Sequence, residues 1–160
     1  MATVLAALIA AFVGSWVGAQ LALSGFKKQR AFDRQLDWYE RIIRGLHYMA
    51  LRIDIAVTLK DDPTTTREVL AEVWEKVQSA HIDLEKLTSE GPLYGSQDAA
   101  KRTRHISEAV QKVAEKTEAF DPVNHKLTKH QMELIVDLAE ELRRASKPLA
   151  LEARTHLGIK

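Results

Sequence analysis

Residues 2–26 contain no charged side chain, and this is the strongest constraint on how the chain can fold. The clearly polar members of the run are Thr3, Ser15, Gln20 and Ser24. A helix of these 25 residues would extend about 37 Å, whereas the hydrocarbon core of a bilayer is about 30 Å thick. Hydroxyl groups can bond back to their own helix backbone and are therefore tolerated in lipid. The run predicts an N-terminal transmembrane anchor within residues 1–26.

A cleaved signal peptide is the alternative interpretation of the same run. Ala22, Leu23 and Ser24 precede Gly25 in the small-x-small pattern of a cleavage site. Signal peptides begin with basic residues, however, and their apolar region is shorter than this one. No Lys or Arg precedes the run, which favours an anchor that is retained.

Four basic residues follow the apolar run: Lys27, Lys28, Arg30 and Arg34. Short loops rich in Lys and Arg stay on the cytoplasmic side of a membrane. We therefore expect the short N-terminus outside and the C-terminal domain in the cytoplasm. The same residues could also contact anionic lipid headgroups, although a topology signal alone explains most of them.

Small residues recur every four positions within the run. This row consists of Ala6, Ala10, Gly14, Gly18 and Ala22, and an adjacent row consists of Ala7, Ala11, Ser15 and Ala19. Small side chains let two helix backbones approach closely, and Gly14-x-x-x-Gly18 is the tightest point of the row. The pattern indicates transmembrane association with a second copy or another span. The alternative is that an alanine-rich anchor produces such a row by chance.

Beyond the anchor, apolar residues recur at alternating spacings of four and three. The first stripe consists of Phe32, Leu36, Tyr39, Ile43, Leu46, Ala50, Ile53 and Val57. Similar stripes follow in three later segments. This spacing is typical of amphipathic helices that pack in a bundle or coiled coil. Trp38 and Trp74 lie beside the stripes, and we expect both to pack inside the bundle.

Proline, glycine and capping residues divide the rest of the chain into helices. Predicted helices occupy residues 27–60, 63–88, 97–120, 129–146 and 149–157, the last being an optional short helix after Pro148. Asp62 before Pro63 is predicted to cap the second helix, with a capping box at 65–68 as the alternative. Residues 90–95 are predicted to form a turn.

Capping residues also predict where the third and fourth helices begin. Ser96 or Asp98 is expected to cap the third helix, and Thr128 with Gln131 forms a plausible capping box for the fourth. No segment alternates apolar and polar residues long enough to form a strand. The predicted fold class is therefore all-α, with a transmembrane helix running into an antiparallel, up-down four-helix bundle over residues 27–160. An open helical hairpin that completes its core by oligomerising is the alternative.

The composition argues against several classes of chemistry. Without cysteine the chain has no disulfide, thiolate metal site or cysteine nucleophile. Its 23 basic and 22 acidic side chains nearly cancel, which gives no sign of nucleic-acid binding. None of the six histidines stands in the Glu-x-x-His pattern of di-iron bundles, and no phosphate-binding loop or nucleophile elbow is present. We expect no metal, cofactor, small-molecule substrate or enzymatic activity.

The start of the chain also carries a loose family resemblance. An uncharged span is followed by KKQR at residues 27–30 and by FDRQLDWYERIIRGLH at residues 32–47. This arrangement resembles uncharacterised bacterial inner-membrane proteins that have one span and a short helical cytoplasmic domain. The likeness covers residues 1–60. It implies a bacterial inner-membrane location and nothing about activity.

These patterns favour a membrane-anchored helical interaction module that is not an enzyme. Such a module would hold a partner, or further copies of itself, at the cytoplasmic face of the membrane. One alternative is a membrane-active effector whose small-residue faces assemble into a pore or leak. Another is an accessory subunit whose span packs against the spans of a larger complex.

Overall fold

The computed structural model describes residues 2–62, 64–117 and 128–159, without the side chains of residues 2–19, 21 and 61. Within these residues all regular structure is helical, which confirms the predicted all-α class. The described helices are α1 (Ala2–Asp61), α2 (Arg67–Tyr94), α3 (Gln97–Lys116) and α4 (Lys129–Leu157).

The chain divides into two compact units, Met1–Gln35 and Leu36–Lys160. The described part of the first unit is the beginning of α1. The second unit contains the remainder of α1 together with α2, α3 and α4, and it holds the hydrophobic core. The sequence prediction placed a boundary after residue 26, where charge begins. Charge marks where a chain can leave a bilayer, whereas the unit boundary marks where packing between helices begins.

Contacts between α1 and α2 show that these helices are antiparallel. The indole ring of Trp38 lies against Gly95 near the end of α2, whereas Gly45, two turns further along α1, faces Leu87. The residue numbers therefore rise along α1 as they fall along α2.

The opposite flank of α1 packs against α4, again in antiparallel fashion. The rings of Tyr39 and His156 lie 6.0 Å apart, and Asp54 forms an ion pair with Arg143. Because α1 contacts both α2 and α4, it is part of a closed helical bundle and not of an open two-helix hairpin.

The α3 helix completes the arrangement by running antiparallel to α4. The hydroxyl of Ser96 at the start of α3 donates to Glu152 near the end of α4. The side-chain amide of Gln131 at the start of α4 donates to the backbone carbonyl of Lys116 at 2.9 Å. Residues 36–117 and 128–157 thus form an up-down-up-down four-helix bundle, as the stripes predict.

Apolar side chains from all four helices fill one core. From α1 the buried residues are Trp38, Tyr39, Ile42, Leu46, Met49, Ala50, Ile53 and Ala56. From the other helices they are Val73, Trp74, Val77, Ala80, Leu84, Leu87, Ala99, Ile106, Val110, Ile135, Leu138, Ala139, Leu142, Leu149 and Ala153. Both Trp38 and Trp74 therefore pack inside the bundle.

The buried face of α1 is broader than the predicted stripe. Within that stripe Tyr39, Leu46, Ala50 and Ile53 are buried, whereas Phe32, Leu36, Ile43 and Val57 are half-buried. The fully buried positions Ile42, Met49 and Ala56 lie one residue before Ile43, Ala50 and Val57. A helix that contacts neighbours on two sides buries a wider arc than the narrow seam of a two-stranded coiled coil.

The predicted cap of α2 was wrong, because Asp62 serves the preceding turn instead. The backbone N–H and hydroxyl of Thr64 donate to its carboxylate at 2.8 and 2.7 Å, and these bonds lower the pKa of Asp62. The α2 helix begins later, with Thr66 as its N-cap accepting from the backbone N–H of Val69. The capping box predicted at residues 65–68 is therefore off by one residue.

The predicted turn at residues 90–95 is also wrong, because α2 continues to Tyr94. Pro92 lies inside the last turn of this helix, and Gly95 is its C-cap. Proline removes a backbone donor and crowds the preceding carbonyl groups. The indole N–H of Trp38 donates to the nearby carbonyl of Leu87 at 2.8 Å, so a tertiary contact supports this helix end.

The helix starts predicted for α3 and α4 are confirmed. The hydroxyl of Ser96 accepts from the backbone N–H of Ala99, and Thr128 forms the capping box with Gln131. The α3 helix ends at Lys116 with Thr117 as its cap. The rest of the predicted third helix, residues 118–120, lies outside the described residues.

The predicted short fifth helix is wrong, because α4 runs without a break from Lys129 to Leu157 and includes Pro148. Buried residues continue on the same face of α4 across the proline, at Leu142, Ser146, Leu149 and Ala153. Core packing therefore favours one continuous helix over a break. The helix closes at Gly158, whose φ of 66° is the left-handed conformation that glycine adopts without strain.

Candidate functional site

The predicted anchor lies mostly outside the residues whose side chains are described. The backbone of α1 is helical from Ala2, and Ala10, Gly14 and Gly18 are among the residues whose side chains lie outside the described part. Ala22, the last residue of the small-residue row, is exposed. Across the described residues, no helix combines the length and apolar character needed to cross a bilayer. The anchor and its association face therefore remain predictions.

The basic residues after the predicted span all lie on the surface of α1. Lys27, Lys28, Arg30 and Arg34 are exposed, and the helix is unbroken through all four. The guanidinium carbon of Arg30 lies 4.9 Å from the centre of the Phe26 ring, a cation–π contact. The structure thus presents these charges on one continuous helical segment.

Within the bundle, Trp38 and Tyr39 of α1 join the end of α2 to the start of α3. The Trp38 ring is fully buried and lies edge-on to Tyr39, with ring centres 4.9 Å apart. The Tyr39 hydroxyl accepts from the backbone N–H of Ser96 at 3.0 Å. These adjacent aromatic residues therefore position both helices next to α1.

A surface groove lies between α1 and α2, with a volume of about 370 Å³. The residues that line it are Arg41, Arg44, Gly45, Tyr48, Ala80, Asp83, Lys86 and Leu87. We call this the α1–α2 groove. The groove exists at this point because Gly45 has no side chain to fill the space above Leu87. A Cβ atom added at Gly45 would lie 3.9 Å from a side-chain methyl carbon of Leu87. The lining combines an apolar floor with a charged rim.

Ion pairs hold the cations of the α1–α2 groove in place. Arg41 pairs with Asp37 on its own helix and, at 3.0 Å, with Glu90 on α2. Arg44 lies 3.7 Å from Glu40. Pairs between exposed groups contribute only about 0–1 kcal/mol each, but they restrict the side chains that border the groove. The charged rim of the α1–α2 groove is therefore partly held by ion pairs.

Two further surface clefts border α3. One, of about 370 Å³, lies at the connection between α2 and α3 and includes Lys101 and Arg104. The other, of about 250 Å³, lies between α3 and α4 and includes His105 and Glu141. In the described part of the chain, no three or more His, Asp or Glu side chains are grouped as metal ligands would be.

Sequence reasoning missed both the α1–α2 groove and the role of Trp38. The groove depends on the missing side chain of Gly45 above Leu87, and only the packed helices show that these two residues face each other. For Trp38, the available signal was the pair of glycines at positions 91 and 95, spaced one helical turn apart. Glycines at this spacing leave room on one face of a helix for a large neighbouring ring.

Comparisons with family models, with curated proteins and with solved structures found no match to this chain.

Proposed function

We propose that this chain is a membrane-anchored helical interaction module without enzymatic activity, located in a bacterial inner membrane. The observation that carries the proposal is the continuity of α1 from Ala2 to Asp61. One helix includes both the uncharged run of residues 2–26 and the largest fully buried side chains of the described bundle, Trp38 and Tyr39. The predicted anchor and part of the bundle core therefore belong to the same helical element.

The charge order along α1 supports one orientation of this module. Lys27, Lys28, Arg30 and Arg34 follow the uncharged run directly, whereas residues 1–26 contain no Lys or Arg. By the positive-inside rule, the bundle faces the cytoplasm and the N-terminus lies outside. The bundle would then present the α1–α2 groove as a surface for partners at the inner face of the membrane.

Membrane extraction tests the anchor directly. The full chain expressed in bacteria should remain in the membrane pellet after alkaline carbonate washing, which removes peripheral proteins. A variant with Val13→Asp and Val17→Asp should be released, since each carboxylate at mid-membrane costs about 2.5–3.5 kcal/mol. Ile82→Asp with Leu93→Asp, at two exposed apolar positions of α2, is the matched control and should stay in the pellet. Release of the unaltered chain by carbonate would refute the anchor.

Self-association through the small-residue row is part of the proposal. Because the chain has no cysteine, Ala22→Cys supplies a single cross-linking site at the end of this row. In membranes this protein should form a disulfide-linked dimer. Adding Gly14→Leu and Gly18→Leu should lower the yield about fivefold, because losing about 1 kcal/mol of helix–helix interaction changes the dimer constant by that factor.

The control for this experiment changes the same helix away from the small-residue row. Val13→Leu and Val17→Leu have the same spacing and should leave the cross-linked fraction unchanged. If the Gly14 and Gly18 substitutions have no effect, the row is not an association face. If a different protein is cross-linked in place of a second copy, the chain is an accessory subunit of a larger complex.

A further inference from the structure

An exposed stripe on the first unit combines apolar and basic side chains. It consists of Leu23, Phe26, Lys27, Arg30 and Arg34, and we call it the juxtamembrane stripe. Its members follow one another at separations of three, one, three and four residues, which places them within about 100° of the helix circumference. Leu23 is 50% exposed and Phe26 is 57% exposed, so its apolar end is as accessible as its charged end.

The cations of the juxtamembrane stripe are not neutralised within the described part of the chain. Lys27, Arg30 and Arg34 form no ion pair there. Asp33 and Asp37, three positions after Arg30 and Arg34, contact Gln29 and Arg41 instead. Further along the same helix the pattern changes, since Arg41 and Arg44 each pair with a carboxylate four residues earlier. The stripe therefore leaves three cations available to an external anion.

Asp33, the one acidic residue between Leu23 and Arg34, does not neutralise the cations of the juxtamembrane stripe. Its carboxylate accepts a hydrogen bond from the side-chain amide of Gln29 at 2.8 Å. By helical spacing Asp33 lies about 60–120° around the helix from the three cations. The local charge on the face of the stripe is therefore positive.

We propose that the juxtamembrane stripe binds the headgroups of anionic phospholipids, with its basic residues on the phosphates and its apolar end at the acyl boundary. The proposal rests on the membrane anchor, and it names the lipid class that the segment selects. Lys27 and Arg34 are separated by about 10 Å along the helix axis, which is close to one Debye length at physiological salt. All three cations can therefore interact with a charged surface beside the span.

The arrangement of the apolar members supports a lipid surface as the partner. Phe26 precedes the cations and contacts Arg30, so an aromatic ring lies on the span side of the charges. Aromatic rings favour the interface between headgroups and acyl chains, whereas basic side chains reach outward to the phosphates. A topology signal requires a number of charges but no common face and no neighbouring apolar groups.

The test compares lipid selectivity around the full chain in nanodiscs. The readout is the fraction of spin-labelled phosphatidylglycerol, relative to phosphatidylcholine, that the protein immobilises. We expect a preference for phosphatidylglycerol of about fivefold, the factor that one cation contributing about 1 kcal/mol supplies. Lys27→Gln, Arg30→Gln and Arg34→Gln together should reduce the ratio to near one. Raising the salt concentration should reduce it as well.

The control removes three charges from the bundle, with Lys101→Gln, Arg104→Gln and Lys112→Gln. These residues of α3 are exposed, and this variant should keep the full preference. Equal immobilisation of both lipids by the unaltered chain would overturn the proposal, as would a preference that survives in the stripe variant. If the chain does not enter nanodiscs at all, the anchor itself fails, which is a separate result from insertion without selectivity.

Discussion

Trp38→Ala is expected to destabilise the bundle by about 3–5 kcal/mol, the usual cost of removing a large buried aromatic ring. The ring is fully buried, and its loss would leave a cavity bordered by Gly91, Gly95 and Tyr39. The substitution would also remove the hydrogen bond from the indole N–H to the carbonyl of Leu87. Because domains of this size are stable by about 5–15 kcal/mol, a large part of the total would be lost.

A conservative variant removes the hydrogen bond while keeping part of the packing. Trp38→Phe retains an aromatic ring but has no donor for the Leu87 carbonyl, which lies in a buried contact. We expect a loss of about 1–3 kcal/mol, intermediate between the unaltered chain and Trp38→Ala. Such an intermediate value would show that the aromatic ring retained by phenylalanine supplies part of the stabilisation.

Denaturant unfolding of the full chain in detergent micelles, followed by circular dichroism, measures both variants. Tyr48→Ala is the control, because this aromatic residue of α1 is 40% exposed and its loss should cost much less. If Trp38→Ala destabilises the bundle no more than Tyr48→Ala does, Trp38 does not have the structural role assigned to it.

The second large effect concerns two glycines that should respond in opposite directions to the same change. At Gly95, an added Cβ would lie 2.7 and 2.8 Å from atoms of the Trp38 ring. Its φ of −83° is allowed to any residue, so the requirement for glycine is steric rather than conformational. We expect Gly95→Ala to cost about 1–3 kcal/mol, as is typical when extra volume is forced into a packed core.

At Gly45 the added Cβ would meet Leu87 at 3.9 Å, an ordinary van der Waals contact. Alanine is a better helix former than glycine by about 1 kcal/mol, and Gly45 lies inside α1. We therefore expect Gly45→Ala to stabilise the bundle by about 0.5–1 kcal/mol. Thermal and denaturant unfolding should shift upward for this variant and downward for Gly95→Ala.

A double-mutant cycle identifies the cause of the Gly95 effect. In a Trp38→Ala background the ring that crowds position 95 is absent, so Gly95→Ala should cost much less than in the unaltered chain. The same penalty in both backgrounds would mean that Trp38 is not the reason for glycine at position 95.

Much of the fold was predictable because it depends on local rules. Helix periodicity predicted an all-helical bundle, and the capping residues Ser96 and Thr128 marked the starts of α3 and α4. Capping bonds connect residues within one turn, so the sequence contains all the information they require. For the candidate site, the sequence similarly identified Lys27, Arg30 and Arg34 as basic residues next to an uncharged run.

Where α2 ends and whether α4 is continuous could not be predicted from local sequence rules, because both depend on contacts with residues distant in the sequence. The sequence Glu90-Gly91-Pro92 predicts a turn, and Pro148 predicts a break in α4. Both prolines nevertheless lie within helices. Buried residues continue on both sides of Pro148, and Pro92 follows the buried Leu87 and Gly91 in the last turn of α2. The local preference of a proline is a few kcal/mol, which the burial of several apolar side chains can exceed.

The sequence by itself determined the helical class, the number of amphipathic stripes and the position of the uncharged run, because each follows from periodicity or composition along the chain. The tertiary structure decided which arc of α1 is buried, where α2 ends and where the α1–α2 groove lies. These depend on contacts between residues about 50 positions apart, such as Trp38 with Leu87, which are 49 residues apart. A local pattern cannot specify such contacts, since they form only when packed helices bring distant side chains together.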